Sequence, residues 1–130
     1  MTAMAEKGST HRRTLSAPSH AALDRLTRSS DDLLETLDAG AAGSDPDTAD
    51  EWAAVADNVR RYLALLIEGR AADDPGIALR GANLLTTVSK GAGDAEPLGG
   101  DRQVADRAFA VTCDAIGAAR PLRADAGMAF

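Results

Sequence analysis

Apolar positions recur along most of this chain at alternating steps of three and four, the period of a helix with one face turned inward. The clearest run is residues 48–68, TADEWAAVADNVRRYLALLIE, where Trp52, Val55, Val59, Tyr62 and Leu66 form one stripe. Thr48 followed three residues later by Glu51 has the form of a capping box, and Gly69 suits the left-handed conformation that closes a helix. Toward its end the stripe broadens into Leu63, Leu65, Leu66 and Ile67, apolar in nearly every direction. A helix apolar all round must be covered on several sides, so its last two turns are expected at the centre of a bundle.

Three further helices follow from the same spacing. The first, over residues 18–39, carries Leu23, Leu26, Ser30, Leu33 and Leu37, with Leu34 widening the face. Pro18 suits its first turn, Ser16 or Ser19 its cap, and Gly40 its end. Residues 41–47, AAGSDPD, are a short link, which makes the first two helices antiparallel neighbours. Asp74-Pro75 reads as an N-cap and first turn for a third helix over residues 75–90. There Ile77, Gly81, Leu84 and Val88 share a face, with Leu85 beside them. Gly81 costs that helix about 1 kcal/mol relative to alanine, for which close helix packing is the common reason.

Residues 91–100, GAGDAEPLGG, are a loop by composition. A fourth helix over residues 101–119 sets Val104, Ala108, Val111 and Ala115 in one row, with Phe109, Thr112 and Ile116 next to it; Arg120 before Pro121 marks its boundary. Residues 1–15 lack periodicity and read as a disordered arm. Residues 121–130 read as a tail whose Met128 and Phe130 are free to dock on a partner. The fold class is therefore all-α, an antiparallel four-helix bundle over residues 16–120. The alternative is two helical hairpins opened out and completed by a second chain.

Composition narrows the function classes. Apolar residues make up 45% of the 130, yet only four residues are aromatic, so the apolar content is mostly alanine and leucine, which favour helices. Arginine greatly outnumbers lysine, a bias that suggests a high-GC bacterial source. No apolar run approaches a membrane span. The net charge of −6 is concentrated: residues 31–57 hold nine acidic groups and no basic one, while residues 1–30 hold five basic and two acidic. Such an acidic chain repels phosphate, which argues against nucleic acid as a partner. Cys113 is the only cysteine, so no intramolecular disulfide forms, in keeping with a reducing cytoplasm.

Candidate chemistry is sparse. Asp31-Asp32-Leu33-Leu34-Glu35 resembles the aspartate-rich motif of isoprenoid synthases, whose carboxylates one turn apart hold magnesium and a diphosphate. The resemblance stops there: Leu84 and Gly91 stand where the second magnesium motif needs acids, and the chain is too short for that barrel. A solvated acidic face is the reading we adopt. Asp45, Asp47, Asp50 and Glu51 lack the glycine and distal glutamate of a calcium loop, and they suit the positive end of a helix dipole. Ser19-His20 with Leu23 and Arg25 resembles the phosphoacceptor box of sensor histidine kinases, but Ala21 stands where an acid is expected. With two histidines and one cysteine no metal centre or cofactor site is predicted, and Cys113 reads as a core thiol.

The functional expectation is a small noncatalytic helical protein acting by protein–protein contact, as a homodimer or an accessory subunit. Trp52, Tyr62, Leu65, Leu66 and Ile67 would supply its apolar surface, and the acidic block would steer toward a basic partner. The alternative is a small-molecule protein with a pocket between helices, its polar contacts being Tyr62, Arg80, Asn83 and Thr87.

Overall fold

A computed structural model describes residues 14–94 and 102–127. Its four helices are α1 (Ala17–Ala42), α2 (Pro46–Ala71), α3 (Pro75–Asp94) and α4 (Arg102–Asp125), with no strand among the described residues. Each helix packs on its two neighbours in a closed ring, α1 on α2, α2 on α3, α3 on α4 and α4 back on α1. Cross-helix contacts set the directions. Arg70 near the end of α2 meets Asp24 near the start of α1 at 2.7 Å, and Asp125 at the end of α4 accepts from the Ser16 N–H just before α1 at 2.8 Å. The result is an antiparallel four-helix bundle.

Leucine dominates the core contribution of α1: Leu23, Leu26, Leu33 and Leu37 are buried, on the face opposite exposed Asp31, Asp32 and Glu35. α2 adds Trp52, Ala56, Val59, Leu63 and Leu66. α3 contributes Ala78, Leu79, Ala82 and Leu85, and α4 contributes Val104, Ala108, Val111, Ala115, Ala118, Ala119 and Leu122. No helix is long and apolar enough to cross a membrane among the described residues.

The helices outrun the ends expected from glycine and proline. Gly40 lies inside α1, not at its end; a Cβ there would stand 2.0 Å from the Trp52 ring, so the missing side chain makes room for the indole. Gly69 lies inside α2, buried, and a Cβ would come within 2.6 Å of the Ala78 nitrogen on α3. Closure of α2 falls instead to Asp73 at φ 53°, with the Asp74 N–H donating to the Gly69 carbonyl at 2.8 Å and the Asp73 N–H to Arg70 at 3.1 Å. Gly81 also serves close packing: its Cβ would sit 3.0 Å from both Leu65 and Leu66.

The start of α2 is also earlier than expected, because Asp45 caps it with Pro46 in the first turn, and Thr48 donates to the Asp45 carboxylate through its N–H and its hydroxyl. α3 is capped by Asp74 as expected, its Oδ1 accepting from the N–H groups of Gly76 and Ile77. α3 then continues through Gly91 to Asp94, where a loop was expected.

Pro121 stands inside α4, not after it. An interior proline costs about 3 kcal/mol. Leu122 is fully buried just beyond it, a gain of roughly 1.5–3 kcal/mol, and Asp125 is held by hydrogen bonds, so continuing the helix is favoured. Residues 121–125 are thus core-bearing helix and not tail. Leu15, counted with the N-terminal arm by its sequence, is buried, and its N–H donates to Asp73 at 2.9 Å. Residues 1–13 of that arm, most of the expected loop (95–100), the expected first residue of the fourth helix (101), and Met128 and Phe130 lie outside the described residues.

Candidate functional site

The polar set expected to line a pocket is not gathered. Arg80, Asn83 and Thr87 are exposed on α3, and the Thr87 hydroxyl donates to the Asn83 carbonyl at 3.3 Å. Only Tyr62 is half-buried against the core. The cause is a turn of α3 by one residue from the expected face: Ala78, Ala82, Leu85 and Ser89 point inward, while Ile77, Leu84 and Val88 are half-buried at the margin. From α3, a polar contact to α4 joins the Ser89 and Thr112 hydroxyls at 2.7 Å. It carries no sequence signal beyond two hydroxyls at helical spacing.

The apolar set expected at a surface divides. Trp52 and Leu66 are buried and belong to the core, Tyr62 and Leu65 are half-buried, and Ile67 alone is open, at 60% exposure. The last turns of α2 therefore do not occupy a bundle centre. In a closed ring of four, every helix keeps an outer face, and α2 turns Ala64, Ile67 and Glu68 outward. One exposed isoleucine is not a patch.

Among the described residues no three histidine, cysteine, aspartate or glutamate side chains are placed to hold a metal ion. Asp31, Asp32 and Glu35 are exposed, with Asp32 paired to Arg107. A shallow, open depression between α1 and α4 is lined by Arg25, Arg28, Ser29, Asp32 and Asp114. Its Ser29 hydroxyl is turned away, donating to the Leu26 carbonyl at 3.2 Å, and it encloses nothing of the kind a small ligand needs.

Serines, a histidine and an aspartate do converge where α1 begins and α4 ends, but as a tether. The Ser16 N–H, the Ser16 hydroxyl and the Ser19 hydroxyl all donate to Asp125 Oδ2, at 2.8, 2.9 and 2.5 Å. Burial acts to raise the Asp125 pKa, but those hydrogen bonds outweigh it and hold the carboxyl below its ordinary value. His20 takes no part as a base: its Nδ1 accepts from Arg70 Nε at 3.4 Å, and its carbonyl accepts from the same guanidinium at 3.0 Å. A serine that donates to a carboxylate, with no imidazole between them, is not an activated nucleophile.

The remaining feature is the outer face of α4. Phe109 is 70% exposed and Ile116 57%, and between them Cys113 is exposed too, so it is no core thiol. Positions 109, 113 and 116 fall on one side of the helix, opposite the buried row of Val104, Ala108, Val111 and Ala115. Gly117 beside them is bare, with nothing within 4 Å of where a Cβ would stand. Charged Arg102, Asp106 and Arg120 border the stripe, all exposed. The two apolar rows of α4 are visible in its sequence. Which one is buried depends on the neighbours, and close packing selected the smaller side chains.

No protein-family model, characterised protein or solved structure matches this chain.

Proposed function

We propose that this protein acts by protein–protein contact and not by catalysis, with the outer face of α4 as its contact surface. The observation that carries this reading is that Phe109 and Ile116, two large apolar side chains left open to water, share one face of one helix with Cys113. A single exposed leucine or isoleucine is ordinary, whereas aligned aromatic and aliphatic groups with a charged border are the make-up of an interface core and rim. The surface thus differs from the one expected on α2. A cytoplasmic location, where Cys113 stays reduced, suits the same reading.

A photo-crosslinking residue placed at position 109, compared with the same residue at exposed Arg61, tests it in extracts of the source cells. A discrete covalent adduct at 109 that is absent at 61 is expected. Equal, diffuse labelling at both positions would sink the proposal.

A further inference from the structure

Resting on that reading of α4, we infer that its outer face is covered by a second copy of this chain, the two α4 helices lying antiparallel about a two-fold axis at Cys113. Charge selects this arrangement. With Cys113 facing its own counterpart, Asp106 of one copy comes level with Arg120 of the other, and the pairing occurs twice by symmetry. A parallel arrangement would instead set Asp106 against Asp106 and Arg120 against Arg120, which repels.

Apolar contact follows the same register. Phe109 and Ile116 fall on the same side of Cys113 around the helix, and the two-fold axis keeps that side in common, so Phe109 of each copy lies beside Ile116 of the other. Moving the axis half a residue toward the start of α4 would set Asp106 level with Ala119 and lose the charge pairs.

The register also fixes the cysteines. Packed helices lie about 8–10 Å apart with Cα atoms about 2.3 Å from each axis, which puts facing Cα atoms roughly 4–5 Å apart. That distance lies within the range a disulfide spans, so Cys113 reports directly on the contact. One helix pair buries less than a standard interface, and exposed ion pairs add little, so the dimer is reversible and concentration-dependent.

Sedimentation equilibrium of the reduced full chain, from about 10 μM to about 1 mM, reads the association directly. The mass should rise from one chain toward two. D106R and R120D should each weaken association at least about tenfold, and the double reversal D106R/R120D should restore it. Mild oxidation should join Cys113 to Cys113 at least about tenfold faster in the wild type than in D106R. Ile67→Ser, on α2, should change neither result, and circular dichroism confirms that each variant is folded.

A chain that stays monomeric at about 1 mM, or a dimer indifferent to both single reversals, overturns the proposal, as does failure of the double reversal to restore association. A monomer whose position 109 still captures a different protein removes the second copy and leaves the α4 contact surface standing. A monomer with no discrete adduct at 109 removes both.

Discussion

The neighbours α1 and α4 are built on opposite plans. α1 puts its leucines inside and its acids outside, so burial and charge agree at almost every position. α4 buries alanine and valine, with Leu122 its one large core residue, and leaves Phe109 and Ile116 in water. Exposure in α4 is thus a consequence of packing. Leucine-rich α1 supplies the core volume, and a helix with a small-residue face is the one that fits closely against it. The apolar groups left over on α4 are then available for another molecule.

Substitutions on the two helices separate these plans. The largest effect is expected on the α1 side: Leu26→Ala, at a fully buried site, should lower the free energy of unfolding by about 2–5 kcal/mol in a urea titration. Phe109→Ala removes a larger side chain yet should move the unfolding of the dilute, monomeric chain by less than about 0.5 kcal/mol. Equal losses for the two would mean that Phe109 is part of the core after all.

Next comes the inner face of α4, where Ala115→Leu should overpack a filled site and cost about 1–3 kcal/mol. At Gly117, two residues on and open, alanine should instead raise stability by up to about 1 kcal/mol through helix propensity alone. A denaturation series carrying both variants would show whether the two faces of α4 differ in sign.

The seam between α1 and α4 offers a third measure. Asp125→Ala removes the acceptor of three hydrogen bonds and leaves the buried Ser19 hydroxyl short of a partner, a loss of about 1–2 kcal/mol. Because the Asp125 carboxyl is held below its ordinary value in the folded state, its contribution is complete above the unfolded pKa, about 3.9. It is lost as pH falls through the lower folded value. The wild-type advantage over the variant should therefore fade in acid, and a gap that stayed constant below pH 4 would contradict the tether. The smallest effect belongs to Asn83→Ala, expected within about 0.5 kcal/mol because the side chain is exposed; a large drop in melting temperature would contradict that placement.

How far the sequence could be read depended on which residues carried the signal. The leucines of α1 face one way and its acids the other, so a single face was available and the reading was unambiguous. The Asp74-Pro75 cap was equally legible, since aspartate before proline has few other uses at a helix start. α3 was misjudged by one residue because alanine and serine count little on a hydropathy pattern. In a tightly packed helix they are nevertheless the side chains that go inside. Gly40 and Gly69 read as stops because glycine ends helices, but it also admits a close neighbour, here the Trp52 ring and the Ala78 backbone. Pro121 failed as a boundary because what lies beyond it, Leu122 and Asp125, is held by tertiary contacts that no local pattern records. By its sequence α2 is the natural contact surface because LALLI is the most apolar run, whereas exposure is a property of the assembled ring.

That ring has one joint unlike the others. Three of its four helix pairings join consecutive helices and form as hairpins across short stretches of chain. The fourth brings Ser16 to Asp125, 109 residues away. Closing so long a loop costs more entropy than closing a hairpin, by roughly 1 kcal/mol for about two doublings of length. Local pairings formed first shorten that loop, so the joint between α1 and α4 is expected to close last and to open first. In native-state hydrogen exchange, the amides of Ser16 and Ser19 should open at lower free energy than those in the middle of α2 and α3.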